Sequence, residues 1–231
     1  MNSKSTITVK LINKIRLKIR EIQVANNGSS TSLSYIHQYW EETANEDKNK
    51  PINYLSQNNI KSKALYLIKF LSELNIDKSC PILELGCGIG STLNELYQQG
   101  YYNLVAIESN LEAIKILKEN YPLLYKNNMI INSRFDQILN KLQINLFDVT
   151  FCFAVLSHIH PSENYLFYQI ANITKKYIIL VEAETTISER HFPRNYAKIF
   201  QKYGFKQIKT EMTKNKITDY PNMRCRILIK D

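Results

Sequence analysis

The chain has 231 residues, 44% apolar and 22% charged, with a formal net charge of +9. That length is ample for one core and short for two, and the composition excludes a disordered or fibrous chain. No apolar run approaches the roughly 20 residues of a membrane-crossing helix, and the start of the chain lacks a continuous apolar signal core, so a cytoplasmic protein is expected. Residues 1–30 read as an extension that ends in the turn-rich Ala25-Asn-Asn-Gly-Ser-Ser-Thr31. Within it, Lys10 to Ile22 places Leu11, Ile12, Ile15, Leu17, Ile19 and Ile22 among basic residues, which predicts a basic amphipathic helix docked on its own domain. Tyr35 to Ser56 is polar and reads as irregular, but it carries Tyr39 and Trp40, the only tryptophan. We assign residues 1–57 to an extension or lid and 58–231 to a single domain.

From there the pattern becomes regular. Ile60, Ala64, Leu67, Ile68, Leu71 and Leu74 repeat at helical spacing. Apolar runs predict strands near 81–86, 103–108, 128–132, 147–154 and 177–183, with helices over 91–99, 110–119, 135–142 and 162–174. Alternation of this kind implies an α/β fold with a mainly parallel sheet covered on both faces. A helix over 195–203 stops at Gly204, and two further strands follow over 206–212 and 225–230.

The chemistry concentrates at the ends of the strands. Pro81-Ile-Leu-Glu-Leu-Gly-Cys-Gly-Ile-Gly90 runs from a strand into Gly86, Gly88 and Gly90 and then a helix start, a place where backbone approaches a ligand closely. A dinucleotide fingerprint requires G-x-G-x-x-G, but the third glycine here comes one residue early and Ser91 stands in its place. About 20 residues after the glycines, Glu108 ends the second strand, where an acid can accept hydrogen bonds from a ribose diol. Ser109-Asn-Leu-Glu112 reads as a capping box for the next helix.

The Glu-x-Gly-x-Gly-x-Gly stretch from Glu84 to Gly90, together with Phe147-Asp-Val-Thr-Phe-Cys-Phe-Ala-Val-Leu-Ser-His-Ile-His160, resembles class I S-adenosylmethionine (SAM) methyltransferases. The resemblance covers about residues 58–231. It implies a doubly wound, seven-stranded Rossmann-like sheet, mainly parallel with an antiparallel last strand. It also implies SAM as cofactor, S-adenosylhomocysteine as product, no metal, and in-line displacement in which a substrate oxygen or nitrogen attacks the methyl carbon. The glycine loop with Glu84, Gly86, Cys87, Gly88 and Gly90 would lie beneath the amino-acid part of SAM, the acid facing its ammonium. Cys87 is read as a small residue tolerated between glycines. Glu108 and Ser109 would face the ribose, Ser133, Arg134 and Phe135 the adenine, and Phe153 and Ala154 the sulfonium. Asp136 falls late for the usual adenine acid.

Candidates for the acceptor end are Tyr39, Trp40, Ser157, His158 and Arg190, gathered by the rule that open α/β sheets bind ligands beyond the carboxyl ends of their strands. His158 is either a general base or a structural imidazole. Glu182 and Glu184 alternate across a strand end, and Glu182 is a second candidate base. Arg190, His191 and Arg194 either bind an anionic substrate or cap the next helix. No third ligand with metal-binding spacing accompanies His158 and His160; His37 and His191 are remote in sequence. Cys80, Cys87, Cys152 and Cys225 form no CxxC pair and read as free, mostly buried thiols. The absence of an Asn-Pro-Pro-Tyr-like tetrapeptide argues against DNA-base amino methylation. The expectation is methyl transfer to a small molecule of sugar or secondary-metabolite type, by a monomer or homodimer with no membrane partner. The positive charge leaves an RNA methyltransferase open, although the lysines are scattered, and a non-catalytic partner subunit also stays open.

Overall fold

The computed structural model describes residues 31–42, 49–56, 60–186, 188–214 and 222–231. The basic segment Lys10–Ile22 lies outside the described residues. Seven strands are present: β1 (Ile82–Leu85), β2 (Leu104–Glu108), β3 (Met129–Asn132), β4 (Phe147–Phe153), β5 (Thr174–Glu182), β6 (Phe205–Met212) and β7 (Arg224–Lys230). They form one sheet in the order β3-β2-β1-β4-β5-β7-β6. The first five run parallel, and β7 is antiparallel to both β5 and β6. This is the seven-stranded, mainly parallel sheet expected from the sequence.

The helices are α1 (Leu33–Glu41), α2 (Ile60–Glu73), α3 (Ser91–Gln98), α4 (Leu111–Asn120), α5 (Pro122–Asn127), α6 (Phe135–Ile138), α7 (Leu166–Ile173) and α8 (Tyr196–Gln201). Side chains alternate across each strand, so the sheet has two apolar faces. Ile82, Val149, Phe151, Ile179 and Ile227 pack with Leu67, Phe70 and Leu71 of α2 and Leu93 and Leu96 of α3. Leu83, Leu85, Cys152, Ile178, Leu180 and Leu228 pack on the other side with Phe167 and Ile170 of α7 and Phe200 of α8. Each fully buried side chain of this kind contributes about 1.5–3 kcal/mol, enough to hold the short helices that propensity alone would not. β1 lies between β2 and β4, so the chain leaves it to one side and later returns to the other. This is the switch point where such sheets open a crevice.

Several boundaries differ from the sequence reading. The stretch read as irregular contains α1, because Ser32 caps it by accepting from the Tyr35 N–H (3.2 Å) and Ile36 and Tyr39 bury one face. The capping residue of α4 is Asn110 rather than Ser109; its side chain accepts from the Ala113 N–H at 3.0 Å. The helix expected over 135–142 is one α turn followed by a 3-10 turn at Leu139–Lys141. All four cysteines are free. Among the described residues no helix is long and apolar enough to cross a membrane.

One buried acid sets the geometry after β4. The chain turns at Ala154, a non-glycine residue at φ +57°, while its N–H donates to the Val181 carbonyl (2.8 Å). The next three amides, of Val155, Leu156 and Ser157, donate to the Glu182 carboxylate at 2.9, 2.9 and 3.0 Å, and the Cys152 thiol donates at 3.2 Å. Burial pushes this carboxyl up from its ordinary range and the amides pull it back. Glu182 is therefore not the base expected from the sequence: its oxygens are occupied by backbone, and it lies behind the loop. Glu184 is no pocket acid either, since it pairs with Arg226 (2.5 Å) and Arg224 (3.4 Å). Replacing Glu182 by Gln substitutes a donor for an acceptor in front of these amides. Glu182→Gln is expected to lower stability by about 1–3 kcal/mol, measured by urea unfolding; an unchanged midpoint contradicts the anchoring role.

Candidate functional site

The carboxyl ends of β1, β2 and β4 surround a cavity of about 660 Å³ that α1 and the loop after β5 help to wall. Of the residues expected at a cofactor, Glu84, Gly86, Cys87, Gly88, Glu108 and Ser109 line it. Ser133, Arg134, Phe135, Phe153 and Ala154 do so too, as do Trp40, His158 and Arg190 from the acceptor set. Gly90, Tyr39, Ser157 and Glu182 are not on its wall.

The turn after β1 is held by Glu108. Its Oε2 accepts from the Gly88 N–H and its Oε1 from the Asn110 N–H, both at 2.8 Å. Burial raises this carboxyl, and the amide bonds oppose the rise. The Ser109 amide also acts on this carboxylate; a carboxylate offers about four acceptor sites, so capacity for a ligand hydroxyl remains. Gly88 sits at φ +53°, and a Cβ there meets nothing within 4 Å, so the backbone is bare toward the cavity. Gly90 serves a different purpose. At φ +74° it starts α3, and a Cβ would fall 2.4 Å from Leu117 Cδ1. The Cys87 thiol is buried and pushed well above its usual range by that burial, with Glu108 and Glu84 adding to the rise, so it is no nucleophile.

Glu84 is the strongest indicator of a cationic ligand. The residue is 4% exposed, and its Oε2 has no hydrogen-bond partner among the described residues. Burial pushes the carboxyl well above its ordinary value, Lys63 opposing and Glu108 adding to the rise. An orphaned buried carboxylate on a cavity wall is costly until a cation or donor meets it. The ammonium expected of SAM would supply such a group, and the bare Gly88 backbone would leave room for its amino-acid part.

Beyond β3, Arg134 makes a two-point contact with Asp136 (2.9 and 3.0 Å) and reaches Glu41 at 3.2 Å. Asp136 raises the guanidinium further above its usual value. His37 Nε2 lies 2.9 Å from Glu163 Oε1. His37, Asp136 and Glu163 bring three ligand-type atoms within 4.8 Å of one another, a set that sequence spacing did not reveal. The residues come from three separate elements. No local spacing in the sequence links them.

At the acceptor end three rings pack against one another at a tilt. His158 lies 4.4 Å from Trp40 and 4.4 Å from His191, centroid to centroid. His158 Nδ1 is 2.6 Å from the Arg190 carbonyl, which can only accept, so the proton sits on Nδ1 and Nε2 carries the lone pair. Burial, with His191 adding to it, pushes His158 down to about 3. It is neutral at physiological pH and a weak base. Trp40 Nε1–H is buried with no partner among the described residues. Tyr39, expected beside substrate, is instead a buried plug: its hydroxyl accepts from Asn49 (2.7 Å) and Arg190 covers its ring. Ser157 is 1% exposed and holds the Phe192 N–H with its carbonyl (2.8 Å).

Two outcomes check this geometry. Gly88→Ala adds a methyl in open cavity, so it is expected to weaken S-adenosylhomocysteine binding at least tenfold with about 1–2 kcal/mol loss of stability. Gly90→Ala meets Leu117 and is expected to cost more in stability; calorimetry and thermal unfolding of both variants separate the two effects. Glu84 is protonated over a wider pH range in the free protein than beside an ammonium, so binding releases a proton. Affinity therefore rises with pH until the raised carboxyl of the free protein has ionised. Calorimetry in buffers of different ionisation enthalpy detects the proton, and a pH-independent affinity that persists in Glu84→Gln refutes the assignment.

Comparison with known proteins bears on the family and the fold. Residues 41–183 match the family described as "Methyltransferase domain". No curated protein sequence matches the chain. Magnesium protoporphyrin IX methyltransferase of Synechocystis PCC 6803, solved with bound S-adenosylhomocysteine, is 18% identical over 87% of this chain and 100% of its own, with a TM-score of 0.65. Phosphoethanolamine N-methyltransferase 2 of Haemonchus contortus, in complex with phosphomonomethylethanolamine and S-adenosylhomocysteine, is 13% identical over 84% of this chain and 60% of its own, with a TM-score of 0.66. A Galdieria sulphuraria protein described as a sarcosine dimethylglycine methyltransferase is 12% identical over 83% and 91%, with a TM-score of 0.61. With the family matching more than half of the chain, and Glu84, Gly88 and Glu108 disposed around one cavity, the chain belongs to the methyltransferase domain family and is a class I SAM-dependent methyltransferase.

Proposed function

We propose that this methyltransferase acts on an oxygen or nitrogen of a small molecule. The observation that carries the reading is that one cavity is lined both by Glu84 and Gly88 and by Trp40, His158 and His191. Its volume of about 660 Å³ falls within the roughly 300–1,000 Å³ of small-molecule sites, which supports small-molecule ligands. The three structural neighbours named above carry names that point to small-molecule acceptors, which supports the same class.

SAM supplies an already activated methyl group, so the chain's task is to bind, align and exclude water. Glu84 meets the ammonium and Glu108 the ribose hydroxyls. Phe153 and Ala154 close the wall at the end of β4, where Glu182 holds the following amides in place. Trp40 and His158 pack against each other at a tilt of 52° beside them and remove water from the path of the acceptor. His158 Nε2, held outward by the Nδ1 bond to Arg190, accepts a hydrogen bond from an incoming O–H or N–H and aims the lone pair. At a pKa of about 3 it orients the nucleophile and does not store its proton.

The test is transfer of label from methyl-labelled SAM to a panel of small hydroxyl, carboxylate and amine compounds, with total RNA as a further acceptor. The expected result is label in a small compound that falls at least tenfold in Trp40→Ala while S-adenosylhomocysteine affinity changes little. Label appearing in RNA alone overturns the reading.

A further inference from the structure

The charges on the cavity wall are sorted by position. Arg134 is matched by Asp136 and Glu41, Glu163 by His37, and Glu108 by backbone amides. Lys63 is the cation that acts on Glu84. Arg190 is different. Its guanidinium stacks on Tyr39, 3.9 Å from the ring centroid, and donates to the Tyr35 hydroxyl at 3.2 Å, but among the described residues it forms no ion pair. These contacts fix the plane of the group at the acceptor end and leave donors unused, since a guanidinium carries five. The same residue holds His158 through its carbonyl, and His191 follows it in the chain with Nδ1 2.7 Å from Ser188 Oγ. Arg190 therefore joins the anchoring of α1 to the two imidazoles that face the cavity.

We infer that the methyl acceptor carries an oxyanion, a carboxylate or phosphate, that is bound by Arg190 beside His158 and His191. A preformed arginine fork without a carboxylate partner on a half-enclosed wall matches such a group by charge and shape. An acceptor anion also offsets the positive sulfonium it must approach, whereas a cationic acceptor without an anion is repelled by both. The inference rests on the small-molecule reading above and narrows it to anionic acceptors. His191 reports on the site. Burial and then Arg190 lower it from its ordinary value, with Ser188 and the neutral His158 as its other near polar groups. An anion on Arg190 removes the second cause and adds an attraction, so His191 then titrates at higher pH.

The experiment uses the full chain saturated with S-adenosylhomocysteine and three probes: benzoate, phenyl phosphate and the neutral benzamide. Imidazole NMR is expected to show His191 titrating at higher pH with at least one anion, and that anion binding at least tenfold more tightly than benzamide. Arg190→Gln is expected to abolish the tenfold preference while retaining affinity for S-adenosylhomocysteine, and Arg190→Lys to keep part of it. Equal binding of benzamide, no binding of either anion at millimolar concentration, or a preference that survives Arg190→Gln overturns the inference. If Arg190→Gln loosens α1 and unfolds, the contrast between anions and benzamide in the wild-type chain and in Arg190→Lys decides the matter. Failure of S-adenosylhomocysteine to bind the wild-type chain appears in the first titration and overturns the underlying reading instead.

Discussion

A parallel sheet leaves backbone amides without partners where its strands end and loops begin, and buried amides must be paired. In this chain two carboxylates at strand ends perform that pairing. Glu182, at the end of β5, gathers the amides of Val155, Leu156 and Ser157. Glu108, at the end of β2, gathers those of Gly88 and Asn110. Each acid belongs to one strand and fixes the loop that follows or flanks a neighbouring one. The cavity walls at β1 and β4 are thereby set by side chains from β2 and β5. The positive φ at Ala154 and Gly88 persists because these contacts over-determine the turns.

The same principle separates structural acids from functional ones. Glu182 and Glu184 have their acceptor sites filled by amides and arginines. Glu108 is only partly filled, and Glu84 keeps an oxygen with no partner among the described residues. Desolvation acts on all the buried acids, so burial alone does not mark the site; the unfilled acceptor does. Among the cations Arg190 stands apart from Arg134 and Arg226 because no carboxylate among the described residues meets it.

Much of the fold was readable because a buried parallel strand needs an apolar run and a covering helix needs apolar residues at helical spacing. Ile82–Leu85, Phe147–Phe153 and the stripe Ala64, Leu67, Leu71 are examples. The glycine positions were readable because a left-handed backbone excludes most other residues. Short elements were less legible. The helix Leu33–Glu41 depends on a serine cap and on burial of Ile36 and Tyr39 against the domain, and α6 ends after one turn. The role of Glu182 was misread because a polar residue at a strand end looks the same whether it faces a ligand or three amides.

By itself the sequence determined the strand order's building blocks, the Glu84–Gly90 turn and the acid at Glu108, since these follow from local periodicity and backbone sterics. Only the tertiary structure decided which polar groups are left without partners. Glu182 meets the loop after β4, while His37 meets Glu163 and Arg190 stacks on Tyr39, each across more than a hundred residues of chain. Pairing between distant segments depends on how the helices and loops pack, and that is a property of the folded core, not of any local run of residues.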